Sequence, residues 1–197
     1  SETALLGHDG SEIPVSQLIL AHKTADGQLT FLSTVMHDLR RRKAAEIKLS
    51  KLTQAIEQSA NTILITDHDG VIEYVNPYFY ALTGYSEEEI IGQNPRVWQS
   101  GDTPVETYRE MWDTILAGKV WRGELRNRKK NGEPYWEAAT LSPVKNEKGE
   151  TTHFVGVKQD ITASRAAAEK LRLWQRALES SVNAITITDA TQPNFPY

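Results

Sequence analysis

Five stretches of the central part of the chain have the hydrophobic pattern of β-strands: β-branched residues cluster in the first two, and apolar and polar positions alternate cleanly in the third. Two of these strands lie in "NTILITDHDGVIEYVN" and flank Asp69-Gly70, a dipeptide typical of tight hairpin turns. The other three are "WRGELRNR", "EPYWEAATLSPV" and "THFVGVKQDIT", and the turn sequences "NG" and "NEKGE" separate them. Short turns of this kind join antiparallel neighbours.

Three predicted helices lie between the two groups of strands, and a fourth follows the last strand. Asn76-Pro77 has the pattern of a helix start, and Gly84 ends that helix. Ser86 and Glu89 have the spacing of a capping box. Thr103-Pro104 starts a longer helix with apolar positions at helical spacing, namely Tyr108, Met111, Trp112, Ile115 and Leu116. A charged, alanine-rich helix runs from Ala163 toward Leu178, so the sequence predicts an α+β domain.

The chain repeats itself at an offset of 122 positions without a gap. Gly10–Leu49 lies over Gly132–Leu171, and Ala55–Asp67 lies over Ala177–Asp189. An offset that preserves turn glycines and strand spacing indicates tandem domains. We predict the C-terminal half of a preceding domain at 1–38, a connector helix at 39–51, a complete domain at 52–162, a second connector helix at 163–173 and the truncated start of a following domain at 174–197. Because an unpaired edge strand is a liability, we expect the two incomplete halves either to pair with each other or to be poorly ordered.

Composition and charge narrow the classes of function. Hydrophobic residues make up 39% of the 197 residues and charged residues 24%, a balance typical of soluble globular proteins. A formal net charge of -4 argues against nucleic-acid binding, and we interpret the "RRRK" run as a solvated helix face. The absence of cysteine excludes disulfides, thiolate nucleophiles and cysteine-ligated metals. No apolar run reaches the roughly 18 residues of a membrane helix, so we expect a cytoplasmic location without membrane contact from this region.

The order of the predicted elements resembles the PAS domain family. The segments that carry this resemblance are "VNPYFYALTGYSEEEIIGQNP", the "NGEPYW" hairpin and the closing "GVKQDIT". The resemblance implies a PAS fold, a five-stranded antiparallel sheet with short helices on one face and flanking connector helices. The repeat is similar to tandem PAS arrays of bacterial sensor kinases and diguanylate cyclases. It therefore implies a sensory, non-enzymatic region upstream of an output domain, either a histidine kinase or a diguanylate cyclase.

The segment "GQNPRVWQ" (Gly92–Gln99) resembles the "GxNCRFLQ" signature of light-sensing, flavin-binding PAS domains. That resemblance implies that Asn94, Arg96 and Gln99 hold the ribityl chain, the phosphate or the ring of a flavin. Arginine suits a phosphate because its planar guanidinium forms bidentate, charge-assisted hydrogen bonds. Pro95 replaces the cysteine of the signature, so a covalent flavin adduct cannot form.

Asn127 is the polar residue on an otherwise apolar strand face that also carries Trp121, Gly123 and Leu125. A buried amide needs hydrogen-bond partners, and the pyrimidine edge of a flavin offers acceptors and a donor that match a carboxamide. The resemblance places an asparagine of flavin-binding PAS domains at this position.

The next strand carries a second candidate, Glu137. The family pattern turns the side chains of Tyr135, Glu137, Ala139 and Leu141 toward the pocket and that of Trp136 toward a helix or partner. Glu137 is then an ionisable group near the ring, suited to coupling redox state to protonation. Lys158 occupies the position at which light sensors carry a signalling glutamine, which argues against signal relay through a glutamine in this domain.

Three tryptophans, Trp98, Trp112 and Trp121, are candidates to wall in a flavin ring. The stretch from "MWDTILAGKVWRGELRNRKKNG" onward resembles flavoprotein PAS domains of bacterial redox sensors, which use FAD. This resemblance implies that Trp112 and Asn127 contact FAD. The alternative interpretations are that the tryptophans are core residues and that the domain binds FMN or no cofactor.

The histidines do not form a site. His37 in "MHDLRRR" aligns with Gln159 in the repeat, so we interpret it as a surface residue at a strand-to-helix junction and not as a phosphoacceptor. His68 and His153 do not lie on the long helix, where heme-binding PAS domains usually place their iron ligand. No two histidines have the spacing of metal ligands.

Our hypothesis is a tandem PAS sensor whose central domain binds FAD non-covalently. Reduction of the flavin would rearrange Asn127 and the sheet and bias the connector helices. We expect these helices and the flanking half-domains to form a homodimer. The alternatives are a cofactor-free PAS module for dimerisation and signal relay, or a small-metabolite sensor that uses the same pocket.

Overall fold

The computed structural model describes residues 2–180. The chain divides into two compact units, Ser1–Gln58 and Ser59–Tyr197. The predicted following domain at 174–197 lies mostly outside the described residues. Between residues 2 and 180, no helix is long and apolar enough to cross a membrane.

The first unit is a three-stranded antiparallel sheet followed by one helix. Its elements, in chain order, are β1 (Glu2–Leu6), β2 (Glu12–Lys23), β3 (Leu29–Asp38) and α1 (Arg40–Glu57). Helix α1 is longer than the predicted connector at 39–51 and extends past the predicted domain start at residue 52. No glycine or proline occurs within the helix before it ends at Glu57, so nothing breaks it earlier.

The second unit contains a five-stranded antiparallel sheet. Its strands are β4 (Thr62–Asp67), β5 (Ile72–Val75), β6 (Trp121–Arg128), β7 (Pro134–Lys145) and β8 (Thr151–Asp160). They pair in the order β5-β4-β8-β7-β6. The predicted α+β class with a five-stranded antiparallel sheet is therefore confirmed.

The repeat seen in the sequence reappears as an identical strand register in the two units. Val15 pairs with Asp38 between β2 and β3, and Glu137 pairs with Asp160 between β7 and β8, each shifted by 122 positions. The residue after each last strand also makes an equivalent backbone hydrogen bond. The Leu39 N–H donates to the Pro14 carbonyl at 2.9 Å, and the Ile161 N–H, 122 positions later, donates to the Trp136 carbonyl at 2.9 Å. The first unit therefore contains the counterpart of β7, β8 and their connection to the following helix.

Five helical segments accompany the second sheet. They are α2 (Pro77–Thr83), α3 (Glu87–Ile90), a 3-10 helix (Pro95–Trp98), α4 (Val105–Leu116) and α5 (Thr162–Glu179). The predicted capping box is present, with Ser86 and Glu89 bonded reciprocally. Gly84 ends α2 at a φ of 77°, a left-handed conformation that glycine adopts without strain.

Asn76, at the start of α2, ties this helix to the sheet. Its side chain is fully buried, accepts a hydrogen bond from the Ile63 N–H at 2.9 Å and donates to the Asn61 carbonyl at 2.9 Å. The predicted cap residue thus crosslinks the start of α2 to the beginning of β4.

Helix α4 packs on the sheet through part of its predicted apolar stripe. Met111 and Ile115 are buried, and Tyr108 and Trp112 are partly buried against the same cluster. Leu116 is 60% exposed, so its place in the stripe was predicted wrongly. It follows Ile115 directly, and consecutive residues on a helix point about 100° apart.

Trp136 faces away from the core and contacts the start of α5. The Arg165 guanidinium lies 4.0 Å from the centre of its indole ring, and the same guanidinium pairs with Glu124 on β6. The backbone N–H of Trp136 also donates to the Thr162 hydroxyl at 2.9 Å. The outer face of β6 and β7 therefore holds the first turn of the helix that leaves the domain.

Candidate functional site

A cavity of about 630 Å³, counting its open mouth, lies between the second sheet and its helices. The part of it that a water-sized sphere can enter measures only about 70 Å³, so side chains of the wall have to move apart before the cavity admits a larger molecule. One wall is the inner face of β4, β6, β7 and β8, and the other is formed by α4 and residues 94–99. Most of the wall is apolar, including Leu64, Leu125, Leu141 and Phe154.

Six of the seven predicted site residues line this cavity, namely Asn94, Arg96, Trp98, Gln99, Trp112 and Asn127. The seventh, Glu137, is buried but does not line it. Of the other residues expected to face the pocket from β7, Leu141 does so, whereas Tyr135 and Ala139 are buried away from the cavity wall.

Asn127 supplies the most informative polar group of the cavity. The alternation along β6 turns it inward beside Leu125, and only 2% of the residue is exposed. Its side-chain amide nitrogen forms no hydrogen bond of normal geometry among residues 2–180, although it lies close enough to the Tyr135 hydroxyl to affect the pKa of that group. An unsatisfied buried donor costs roughly 1–3 kcal/mol, so this wall favours an occupant that brings an acceptor.

The segment 94–99 forms the mouth of the cavity. The Asn94 carboxamide accepts hydrogen bonds from the Arg96 N–H at 3.2 Å and the Arg96 Nε–H at 3.1 Å, and its Nδ2 donates to the Gly70 carbonyl at 3.2 Å. The polar atoms of Asn94 are therefore engaged in fixing this loop. Arg96 and Gln99 are exposed, which leaves the Arg96 guanidinium beside the opening.

The three tryptophans have different environments. Trp112 stands in the wall on α4, edge-on to Phe154 with ring centres 6.0 Å apart. Trp98 is only 1% exposed and packs against Phe79 at 5.0 Å between ring centres, so most of its surface belongs to the core. Trp121 is a core residue outside the cavity, and its indole lies over Gly123, where a Cβ would be 2.4 Å from the ring.

An ion pair is buried next to the cavity. Lys158 on β8 lines the cavity, and its ammonium donates a hydrogen bond to Oε1 of Glu137 at 2.6 Å. The two side chains are 5% and 3% exposed. Lys158 also lies 5.2 Å from the centre of the Trp98 ring. Lys158 therefore lines the cavity where Glu137 was expected to do so, and Glu137 lies at the far end of the ion pair.

Two tyrosines next to these groups are held in their protonated form. Burial raises the pKa of Tyr108, and its hydroxyl, although near Thr103, forms no hydrogen bond of normal geometry within the described part of the chain. Burial and the nearby Glu137 carboxylate raise the pKa of Tyr135 well above its usual range. The Tyr135 hydroxyl donates a long hydrogen bond to Glu137 at 3.4 Å.

Sequence reasoning missed the polar contribution of Tyr108, because its position on α4 fitted an apolar stripe. The structure adds its hydroxyl to the Asn127 amide and the Lys158 ammonium as donors around one apolar cavity. Such a site suits a molecule that brings several acceptors. No cluster of three histidine, aspartate or glutamate side chains suited to a metal ion occurs within residues 2–180.

Comparisons with known proteins agree with this fold. A family profile described as a PAS domain matches residues 60–163, more than half of the chain. Over 130 residues the chain is 38% identical to the nitrogen fixation regulatory protein of Klebsiella oxytoca, covering 66% of this chain and 26% of that protein. Over 125 residues it is 37% identical to blue-light-activated histidine kinase 1 of Erythrobacter litoralis, covering 60% of this chain and 35% of that protein.

A solved structure shares the same architecture. The PAS domain of a protein from Colwellia psychrerythraea is 28% identical and superposes with a TM-score of 0.51, covering 59% of this chain and 98% of that one. The chain spans between 26% and 35% of the two curated relatives, so the similarity concerns a module of larger signalling proteins. The profile match, the sheet order and the shared architecture lead to one assignment: the chain belongs to the PAS domain family.

Proposed function

We propose that the second unit is a sensory module that binds FAD non-covalently in this cavity and responds to its redox state. The buried amide of Asn127 carries the proposal, because its nitrogen is a donor that forms no hydrogen bond of normal geometry within residues 2–180. When bound, the flavin would supply electron-accepting and electron-donating chemistry. The chain's own residues would orient the ring and exclude water from it.

Three residues have distinct roles in this proposal. Asn127 would bond the pyrimidine edge, Trp112 would pack against the ring system, and Arg96 at the mouth would bind phosphate. Because the chain has no cysteine and Pro95 lines the cavity, the complex would form without a covalent bond. We prefer FAD to FMN because the sequence resembles redox-sensing flavoprotein PAS domains.

The names of two relatives support a signalling role. One is a nitrogen fixation regulatory protein and the other a blue-light-activated histidine kinase. By analogy we propose that this region is not itself an enzyme and acts in the cytoplasm, controlling a downstream histidine kinase or diguanylate cyclase.

The helix that leaves the domain offers a route for the signal. Its contacts with Trp136 are on the outer face of the strand that carries Glu137 on the inner face. Further along α5, Leu171, Trp174 and Leu178 are exposed at helical spacing. We propose that this stripe, the exposed leucines of α1 and the flanking half-domains form a homodimer that transmits the change.

The absorption spectrum of the purified protein tests the proposal. After incubation with FAD and removal of free ligand, we expect the visible bands of an oxidised flavin that disappear on reduction. Chromatography of the heat-released cofactor then distinguishes FAD from FMN. A spectrum without visible bands after incubation with either flavin would contradict the proposal and favour a cofactor-free relay module or a colourless metabolite.

A further inference from the structure

We infer that Lys158 is the residue through which the domain responds to negative charge in the cavity, with Glu137 as its counter-ion. This inference rests on the proposed flavin site and specifies which group of the chain sets the balance between oxidised and reduced cofactor. The strand pairing of the sheet does not depend on either charge.

The geometry places the positive member of the pair at the cavity. Lys158 lines the wall, whereas Glu137 does not and pairs with it at 2.6 Å. A negative charge in the cavity would therefore be closer to the ammonium than to the carboxylate. Because opposite charges attract strongly where water is scarce, the pair would favour the more electron-rich state of the occupant.

The first unit shows what the same scaffold carries when it has no such pair. At the offset of 122 positions, Glu137 corresponds to Val15 and Lys158 to Met36. Both pairs lie in strands with the same register, since Val15 pairs with Asp38 as Glu137 pairs with Asp160. Val15 is buried and Met36 is 45% exposed, so the strand pairing accommodates two apolar side chains at these positions and does not itself require the charges.

The energetics of buried charges agree with a functional role. Removing an ion pair from water costs several kcal/mol per ion, and replacement of such a pair by apolar residues is often neutral or stabilising. The Lys158–Glu137 pair is nearly free of solvent, and its remaining neighbours are the Trp98 ring and the Tyr135 hydroxyl. The pair is therefore better explained by its position beside the cavity than by stability.

Three variants separate this role from a structural one. Glu137→Gln leaves the lysine without its counter-ion, and Lys158→Met removes the positive charge. The double variant Glu137→Val/Lys158→Met copies the pair of the first unit and leaves no unpaired charge, so it serves as the matched control for folding. Thermal unfolding without flavin should show the double variant to be at least as stable as the unchanged protein.

The measurement is a potentiometric titration of each FAD-loaded protein, which gives the ratio of affinities for reduced and oxidised flavin. We expect Glu137→Gln to raise this ratio about tenfold and Lys158→Met to lower it about tenfold. For a two-electron couple, tenfold corresponds to about 30 mV. The double variant should fall between Lys158→Met and the unchanged protein, because both charges are gone and the nearer one is positive.

The outcomes distinguish this inference from the proposed function. If the unchanged protein binds flavin and all variants have the same ratio, the charge role is wrong and the flavin site stands. If Glu137→Gln and Lys158→Met shift the ratio in the same direction, the charge role is also wrong. If the unchanged protein binds no flavin, the proposed function is wrong and the inference falls with it. If Lys158→Met does not fold, the direction in which Glu137→Gln and the double variant shift the ratio of affinities still tests the inference.

Discussion

Replacing Asn127 by leucine should stabilise the flavin-free domain while abolishing flavin binding. The side-chain amide nitrogen is buried and forms no hydrogen bond of normal geometry in the described structure, and leucine has a similar shape without polar atoms. Removing an unsatisfied buried donor recovers its desolvation cost, roughly 1–3 kcal/mol. The same change removes the proposed contact to the pyrimidine ring.

Asn76 provides the matched control, because it is equally buried and its amide is satisfied. Asn76→Leu leaves the Ile63 N–H and the Asn61 carbonyl without their partner, and each loss costs roughly 1–3 kcal/mol. The two substitutions are therefore expected to change the free energy of unfolding in opposite directions, although both replace a buried asparagine of the same domain.

Thermal unfolding without flavin measures both changes. For a domain of this size, 1 kcal/mol corresponds to a shift in Tm of about 4 °C. Asn127→Leu should raise Tm by several degrees, and Asn76→Leu should lower it by at least as much. If Asn127→Leu lowers Tm as Asn76→Leu does, its amide has a partner in the flavin-free protein, and the reasoning from an unsatisfied donor is refuted.

Three further predictions concern the sheet, the mouth of the cavity and the last helix. Gly123→Val should destabilise the domain by about 1–3 kcal/mol in urea unfolding, because a Cβ there would be 2.4 Å from the Trp121 ring. An unchanged urea midpoint would show that the indole can move aside. Pro95→Cys places a thiol in the cavity wall, so blue light should reversibly bleach the bound flavin; bound flavin that never bleaches would place the ring elsewhere. Trp136→Ala removes the contact with Arg165, so amide hydrogen exchange at the start of α5 should accelerate while the flavin spectrum stays the same. Unchanged exchange would show that this contact does not hold the start of α5 on the sheet.

The order of strands and helices was predictable because each boundary has a local chemical cause. Asp69-Gly70 makes the first hairpin, Gly84 ends α2, and the Ser86–Glu89 pair starts α3. The inward position of Asn127 also followed from the two-residue period of a strand. These features depend on residues within a few positions of each other, and a single sequence contains that information.

Side-chain partners across the sheet were not predictable in the same way. Lys158 and Glu137 lie on neighbouring strands and are 21 positions apart in the sequence. Glu137 bonds to Lys158 and does not line the cavity. Asn76 stands at the predicted start of α2, but its side chain makes no capping hydrogen bond and instead bonds to residues 61 and 63, a contact that depends on tertiary structure. The exposure of Leu116 likewise depended on which side of α4 packs on the sheet.

A crystal structure of the protein grown with FAD tests the central claim most directly. The account predicts the isoalloxazine ring between α4 and the sheet, with Nδ2 of Asn127 within hydrogen-bonding distance of an oxygen on the pyrimidine ring. A cavity without flavin under saturating FAD, or a flavin bound elsewhere while Asn127 pairs with another protein group, would contradict it.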